Sequence, residues 1–305
     1  LNLPEFTSVT SLNQMFYNCT SLKTLDLSRF NTSNAGSLYG LFLSCSNLQS
    51  INLSGWDTSN VTNMSYMFDG CLSLTNLDLS SFNTSKVTTM RNMFTRCSSL
   101  VNVNISSFNT SLVTDINGMF YNCQKLNSLD LSHFDTSKAT DMGYMFDGCI
   151  ALKNLTIPFN TSSTTNMTGM FQNCVKLTNL DLSSFDMTKV TKVTNMLNNM
   201  KDLSVLVTPK NISDSYKIAL PTKKADNTDK QMYKEGIAKV VELTKALSST
   251  ASAKITIYDY IKPVEFSTSW RTEVAGLGLS GITTASNITG IAFDDYASFN
   301  SSTKK

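Results

Sequence analysis

Seven cysteines are the residues of this chain best placed for chemistry, and they recur at a nearly fixed spacing. Five intervals are 26 residues long and the last is 25, which gives Cys19, Cys45, Cys71, Cys97, Cys123, Cys149 and Cys174. Such a series could form disulfides, bind a metal or sense oxidants. However, an odd number leaves one cysteine unpaired, and the sequence lacks the short Cys-x-x-Cys spacing of a metal site.

A ladder of buried thiols fits the pattern better. Each cysteine follows the same local sequence, as in Met-Phe-Asp-Gly-Cys at residues 67–71. Neighbouring cysteines in stacked repeats would have Cα atoms about 4.8 Å apart, within disulfide range, but their Cβ vectors would run parallel. Met200 replaces the cysteine in the next repeat without breaking the register. Because free cysteine behaves as a small hydrophobe, we expect seven free thiols that react only after unfolding.

Other catalytic chemistry has little support in the sequence. The single histidine, His133, takes a position that Arg or Ser holds in other repeats, so we expect an exposed loop residue. The chain has no G-x-S-x-G elbow, no P-loop and no H-E-x-x-H sequence. A nucleophile, a base and a pocket therefore cannot be assembled, and the sequence predicts no enzyme, no cofactor and no metal site.

The cysteines belong to a repeat that must form the scaffold of the protein. Its unit reads Cys-x-x-Leu-x-x-Leu-x-Leu-x-x-Phe, then Asn-Thr-Ser-x-Val-x-x-Met-x-x-Met-Phe, as at residues 71–94. Leu-x-x-Leu-x-Leu is typical of leucine-rich repeats, with Leu-x-Leu as a short strand. Strand alternation then points Leu77 and Leu79 inward and Asn76 and Asp78 outward. The fold class predicted is a leucine-rich-repeat solenoid, an α/β-type repeat architecture of short parallel β rungs and turns.

Three inward ladders should form the core of this solenoid, because a single rung cannot bury its apolar residues alone. The first ladder is Phe30, Trp56, Phe82, Phe108, Phe134, Phe159 and Phe185. The second is Phe42, Phe68, Phe94, Phe120, Phe146 and Phe171. The third is Met67, Met93, Met119, Met145, Met170 and Met196. The Asn-Thr-Ser segments, which also match glycosylation acceptors, are predicted to form tight corners through side chain–backbone bonds.

The outward face of the strands is the candidate binding face. Acidic and neutral residues alternate along its centre, at Asp26, Asn52, Asp78, Asn104, Asp130, Thr156 and Asp181. Alternation keeps like charges off neighbouring strands, where they would be destabilising. Two interpretations stay open: a mildly acidic site for a protein or a glycan, or a solvated sheet face. The central line lacks the Tyr, Trp and Arg of most interface centres, and an open stripe provides no enclosed pocket for an acid–base pair.

The overall composition excludes two other classes of protein. The 305 residues carry a net charge of +2, and only 16% are charged. A near-neutral balance argues against nucleic-acid binding, which requires a basic surface. The chain has no run of 18 apolar residues, so we expect no membrane insertion in this segment.

The repeat resembles that of the BspA-like leucine-rich-repeat bacterial surface proteins. The resemblance covers residues 1–208, about eight rungs, and rests on the Cys-x-x-Leu-x-x-Leu-Asp-Leu-Ser-x-Phe-Asn-Thr-Ser unit. It implies a secreted or surface-attached bacterial protein that binds host matrix or cell-surface proteins and has no enzyme activity. It transfers no binding residues, because ligands differ between members.

The remaining residues depart from the repeat. The chain starts in the middle of a rung, so we expect sequence or a cap upstream of Leu1. Residues 209–265 are predicted to form a C-terminal α+β cap over the last rung. Residues 266–305, rich in Ser, Thr, Gly and Ala, are predicted to be a linker, a tail or the start of a further domain.

Two functional hypotheses follow from the sequence. The first is an extracellular, surface-exposed adhesin that binds a host matrix protein, a receptor or a glycan through the solenoid. The second is a structural spacer or self-assembling surface polymer, because open solenoid ends could join head to tail.

Overall fold

The repeats form a solenoid in which each repeat is one rung. The structure is a computed structural model and describes residues 10–203, 205–207 and 209. The half rung predicted at the start, the cap predicted over 209–265 (Pro209 aside) and the segment 266–305 lie outside the described residues.

Each rung contains one three-residue strand at the predicted Leu-x-Leu position. The strands are β1 (Thr24–Asp26), β2 (Ser50–Asn52), β3 (Asn76–Asp78), β4 (Asn102–Asn104), β5 (Ser128–Asp130), β6 (Asn154–Thr156), β7 (Asn179–Asp181) and β8 (Val205–Val207). They pair in parallel two by two, β1 with β2 through β7 with β8, rather than as one continuous sheet. Equivalent residues face each other, so that Leu77 lies opposite Val103.

The pairing in twos matches an alternation in the sequence. The first strand of each pair ends in Asp, whereas the second ends in Asn, Thr or Val. The central leucine of β3, Leu77, is buried, while its partner Val103 in β4 is only half-buried. The Asp78 carboxylate is also hydrogen-bonded to the Asn104 side chain of the paired strand. On the strand side of the solenoid, the pairing therefore repeats every two rungs.

The three predicted ladders form the core, as expected from the repeat. Every residue of these ladders is buried. In the second ladder, successive phenylalanine rings from Phe42 to Phe171 stack with centroids 5.3 to 6.0 Å apart. The fold class and the inward ladders are thus confirmed.

Consecutive rungs are also joined along a second side of the solenoid. One residue per rung forms an isolated parallel bridge with its neighbours, from Ser37 through Thr89 to Lys192. In the turns that follow, Phe68 N donates to Met93 O at 2.9 Å, and the same bond recurs in neighbouring rungs. We call this side, from each bridge residue to the following cysteine (residues 115–123 in one rung), the turn face.

The predicted Asn-Thr-Ser corners are confirmed. Asn83 Oδ1 accepts a hydrogen bond from Ser85 N at 3.1 Å, and Asp135 Oδ1 accepts one from Ser137 N at 2.9 Å. The sequence did not indicate the role of the threonine that lies between the Asn (or Asp) and the Ser of each corner. Thr84 is buried, and its hydroxyl donates to Asn109 O at 2.9 Å while accepting from Asn109 N at 2.7 Å. The threonines therefore link the corners of successive rungs.

The one short rung shows where the scaffold tolerates a change in length. In most rungs the aromatic ladder residue bonds three residues back, as Phe134 N does to Leu131 O. In the short rung Phe159 N instead donates to Ile157 O, two residues back, at 2.7 Å. Phe159 stays fully buried and stacks on Phe185 at 6.2 Å. The missing residue is absorbed by a tighter turn, and the ladders on both sides keep their register.

The cysteine ladder is joined to the backbone of the preceding rungs. All seven cysteines are free thiols; six are buried, and Cys19 is half-buried. Cys97 Sγ donates to Phe68 O at 3.2 Å, and Cys123 Sγ donates to Phe94 O at 3.1 Å. Burial raises the pKa of Cys45 to about 11 and that of Cys149 to about 12. The expectation that all seven thiols are buried is therefore wrong for Cys19, which is half-buried.

Replacing Thr84 with Val should lower the free energy of unfolding by about 1–3 kcal/mol, because Asn109 N and O would lose a buried partner. Urea unfolding measures the change. Thr84→Ser is the matched control: it keeps the hydroxyl and should lose clearly less stability. Equal losses in both variants would show that methyl packing, not the hydrogen bonds, holds the corner.

Thiol titration at pH 8 should give one fast-reacting thiol in the native protein and seven in urea without reductant. Cys19 is the half-buried residue, while burial shields the other six and disfavours their thiolates. More than one fast thiol in the native state would show that the rungs open. Fewer than seven in urea would show a disulfide.

Candidate functional site

The structure places the predicted binding residues on one exposed line, along the outward face of the strands. Asp26, Asn52, Asp78, Asn104, Asp130 and Asp181 are all exposed. Each also accepts a hydrogen bond from the backbone two residues ahead: Asp78 Oδ1 from Ser80 N at 3.0 Å, and Asn104 Oδ1 from Ser106 N at 3.3 Å. These side chains therefore close the turn after each strand, a structural role that an amide fills as well as a carboxylate.

The same bonds set the charge of the acidic positions. Hydrogen bonds from the backbone and then the hydroxyl of the serine two residues ahead hold the pKa of Asp26, Asp78 and Asp130 below its usual range. The three groups are thus anionic at neutral pH. The role of this line in binding stays a prediction.

The single histidine lies where the sequence placed it, on the exposed side of a loop. Its Nε2 is 3.0 Å from Ile105 O, and its ring meets Phe134 edge-on with centroids 5.0 Å apart. His133 therefore has a local packing role.

The turn face carries the side chains that interfaces favour and that the strand face lacks. Tyr39 and Tyr66 meet edge to face, with ring centroids 5.5 Å apart. Arg91 is hydrogen-bonded to the Tyr66 side chain and forms ion pairs with Asp115 at 3.2 Å and Asp141 at 3.9 Å. Tyr and Arg are enriched at the centres of interfaces. The repeat pattern does not reveal this surface, because these residues occupy positions that vary from rung to rung.

A cleft of about 560 Å³, which we call the polar cleft, opens on the turn face. The residues that line it include Asp69, Asn92, Arg96, Tyr121, Asn122 and Tyr144. They come from four successive rungs, so the cleft exists only in the stacked solenoid. This arrangement can present two aromatic rings, two amides and an ion pair to a ligand.

Two bulky residues of the polar cleft have a backbone conformation that most other rungs give to glycine, serine or an amide residue, with Tyr66 as an exception. Arg96 and Tyr144 have φ of 57° and 56°. At the position of Tyr144, the adjacent rungs have Gly118 and Gly169, also with positive φ. A bulky residue in this region costs on the order of 1–2 kcal/mol. The Asn or Gly before most cysteines was a sequence signal for these left-handed positions.

An ion pair with one buried member lies at the edge of the cleft. Arg96 Nη2 and Nε approach Asp69 Oδ1 at 2.8 and 2.9 Å; the arginine side chain is 52% exposed and that of the aspartate 6%. Burial raises the pKa of Asp69, although Arg96 opposes the shift. In the same repeat position, Asp147 has neutral partners, the side-chain amides of Gln172 and Asn173, and burial raises its pKa as well.

In residues 10–203, 205–207 and 209, no three His, Cys, Asp or Glu side chains are grouped to hold a metal ion. Within the same part of the chain, no helix is long and apolar enough to cross a membrane.

The repeated parallel strands and stacked inward ladders define the class of protein: a leucine-rich-repeat solenoid. The chain belongs to the family described as "Mycoplasma protein of unknown function, DUF285", whose model matches residues 2–102, 96–209 and 126–234. Comparison with curated proteins gives no match.

Three solved structures are similar to the chain at low identity. A leucine-rich-repeat protein of T. pallidum (TpLRR) is 21% identical with a TM-score of 0.36, covering 54% of this chain and 69% of that one. The Drosophila Toll–Spatzle complex is 16% identical with a TM-score of 0.31, covering 64% and 28%. An internalin (inlF) of Listeria monocytogenes is 12% identical with a TM-score of 0.17, covering 69% and 86%.

Replacing Arg96 with Gln should lower the free energy of unfolding by about 1–2 kcal/mol at pH 7. Breaking a buried ion pair costs roughly 3–5 kcal/mol, and the exposure of the arginine reduces this value. The loss should shrink as the pH falls, because Asp69, whose folded pKa is raised, becomes neutral and no longer needs a cation.

Urea unfolding of the parent protein and of Arg96→Gln at pH 7 and near pH 4 measures this loss. The other aspartates are present in both proteins, so their contributions to the pH dependence cancel when the two free energies of unfolding are subtracted. Lys176→Gln is the control, because its ion pair with Asp202 is exposed on both sides, and it should change stability by less than about 1 kcal/mol. An Arg96→Gln loss independent of pH would exclude the Asp69 charge as its cause.

Proposed function

We propose that the chain is a non-enzymatic recognition module that lies outside the cell and binds a host matrix or cell-surface protein through the solenoid. The observation that carries the proposal is the division of the rung into constant and variable positions. Inward positions repeat the same few residues, whereas turn-face positions differ from rung to rung and include Tyr39, Tyr66, Arg91, Arg96 and Tyr144. A constant scaffold with variable outward residues suits binding by shape and local contacts.

Further support comes from the BspA-like resemblance of the repeat. Proteins with that repeat are surface proteins, and this resemblance is the reason for proposing an extracellular, adhesin-like role. Fold alone does not fix a function, so the residues of the surface must carry the assignment. We assign binding to the turn face, because its aromatic and arginine residues provide contacts that a line of Asp, Asn and Thr does not.

The strand face is the competing surface for the same role. Its exposed carboxylates, Asp78 and Asp130, can be neutralised without loss of the turn, because Asn104 makes the same backbone bond in the alternate rung. Asp78→Asn/Asp130→Asn therefore removes charge from this face while keeping its structure.

Binding of the full chain to immobilised fibronectin, laminin and collagen tests the proposal by surface plasmon resonance. We expect binding to at least one of them, weakened about tenfold or more by Tyr121→Ala/Tyr144→Gly, since the two rings are lost from the centre of the surface. Circular dichroism checks that each variant remains folded.

Two outcomes would contradict parts of the proposal. Weaker binding by Asp78→Asn/Asp130→Asn, with the tyrosine variant unaffected, would move the site to the strand face. No binding to any of the three proteins, together with growth of filaments on light scattering, would favour a self-assembling spacer.

A further inference from the structure

The polar cleft has the size and the walls of a small-ligand site. Its volume of about 560 Å³ lies within the range of roughly 300–1,000 Å³ that ligand pockets occupy. It is open to solvent rather than enclosed, and Tyr144 on its wall is 40% exposed. Such a cleft suits one or two units of a longer chain better than an apolar molecule that must be fully covered.

The Tyr144 ring packs directly against a glycine of the next rung. A Cβ built on Gly169 would approach Tyr144 Cδ1 at 2.7 Å and Cε1 at 2.8 Å. The ring therefore lies directly on the backbone of the next rung, and only a glycine permits this contact. One side of the ring is supported while its exposed part contributes to the cleft.

Backbone strain points to the same residues. Tyr144 and Arg96 both line the cleft and both have positive φ; the rung before Tyr144 has Gly118 at that position, and the rung after Arg96 has Asn122. Glycine and asparagine adopt this conformation readily, whereas bulky side chains do not. Strained residues of this kind persist where the surroundings hold them and are frequent at ligand-binding sites. Tyr66 has the same strain outside the cleft, so the strain adds to the geometry of the cleft and does not by itself locate a site.

The side-chain amides in the cleft have NH2 groups available to donate hydrogen bonds. Asn92 Oδ1 accepts from Thr95 Oγ1 at 3.1 Å, and Asn122 Oδ1 accepts from Gln124 Nε2 at 3.3 Å. Among the described residues, no acceptor takes up the Nδ2 group of either asparagine. Each amide can therefore donate to a ligand oxygen while its carbonyl remains fixed in position.

The charge of the cleft is balanced within the protein. The guanidinium of Arg96 is engaged through both Nε and Nη2 by the buried carboxylate of Asp69. Arg96 is thus not a free cation that would select a phosphate, sulfate or carboxylate. A neutral ligand rich in hydroxyl groups does not need a free cation, so the Arg96–Asp69 ion pair does not reduce its affinity.

We infer that the polar cleft binds a neutral glycan, with a hexose or N-acetylhexosamine unit stacked on Tyr144 and hydroxyls bonded to the Asn92 and Asn122 amides. A sugar ring has an apolar C–H face and polar edges, which match an aromatic platform bordered by amides. The inference rests on the proposed function, because such glycans are carried by matrix and cell-surface proteins.

Isothermal titration of the full chain with lacto-N-neotetraose, mannotriose and chitotetraose tests the inference. We expect at least one of them to bind, and Tyr144→Gly to weaken that binding about tenfold or more. This variant should fold, because glycine is the residue that adjacent rungs use at the same position. Tyr144→Phe should bind within about threefold of the parent protein, since it keeps the ring.

Tyr66→Gly is the matched control. Tyr66 has the same rung position and a similar φ of 59°, but it does not line the cleft, so glycan affinity should stay within about twofold. Equal losses in Tyr66→Gly and Tyr144→Gly would overturn the inference. Tighter binding of 3′-sialyllactose than of lactose would overturn the neutral-ligand assignment.

The inference and the proposed function can fail separately. If the chain binds enzymatically deglycosylated fibronectin or laminin but none of the three oligosaccharides, the glycan site is wrong and the recognition module stands. If it binds neither the oligosaccharides nor the native matrix proteins, both are wrong.

Discussion

The structure depends on one constraint: the backbone of each rung finds its hydrogen-bond partners in the next rung. Phe94 N reaches Met119 O, and Thr84 Oγ1 reaches Asn109 O, each across a full repeat. Polar backbone groups that are buried must be paired, so no rung is stable alone and none can shift its register independently. The short rung respects this constraint, because Phe159 absorbs the missing residue at a corner while its ladder continues.

This constraint separates the positions that must repeat from those that can vary. Ladder residues such as Phe94 and Cys97 are fully buried, and a change in their volume would be felt in both neighbouring rungs. Outward positions on the turn face have no such requirement. The positions of Tyr66, Arg91 and Tyr144 therefore hold other residues in other rungs without disturbing the core, as Gly118 and Gly169 do on either side of Tyr144. A binding site can form there at little cost to the stability of the fold.

The periodicity of the sequence was sufficient to predict the residues that occupy the same position in every rung. It could not predict the role of residues that differ from rung to rung, because these follow no period. The spacing gave the strand at Leu77, the aromatic and methionine ladders, and the Asn-Thr-Ser corners. It did not indicate the threonine bonds, because a recurring Thr has the same spacing whether its hydroxyl faces solvent or the backbone of the next rung. The alternation of Asp and Asn matches the pairing of strands in twos, but it was interpreted only as a spacing of charges. The polar cleft was invisible to the periodicity, since Asp69, Arg96 and Tyr144 come from different rungs and share no common position.

Asp69 and Asp147 show how identical scaffold positions acquire different properties. Both follow a Met-Phe pair, both are buried, and burial raises the pKa of both carboxyl groups. The residue one rung later decides the outcome: Arg96 supplies a cation to Asp69, whereas Asn173 supplies an amide to Asp147. Because stacking brings such residues together automatically, one substitution in one rung changes the electrostatics of its neighbour. A local site can therefore arise in the middle of a repetitive solenoid without any change in its fold.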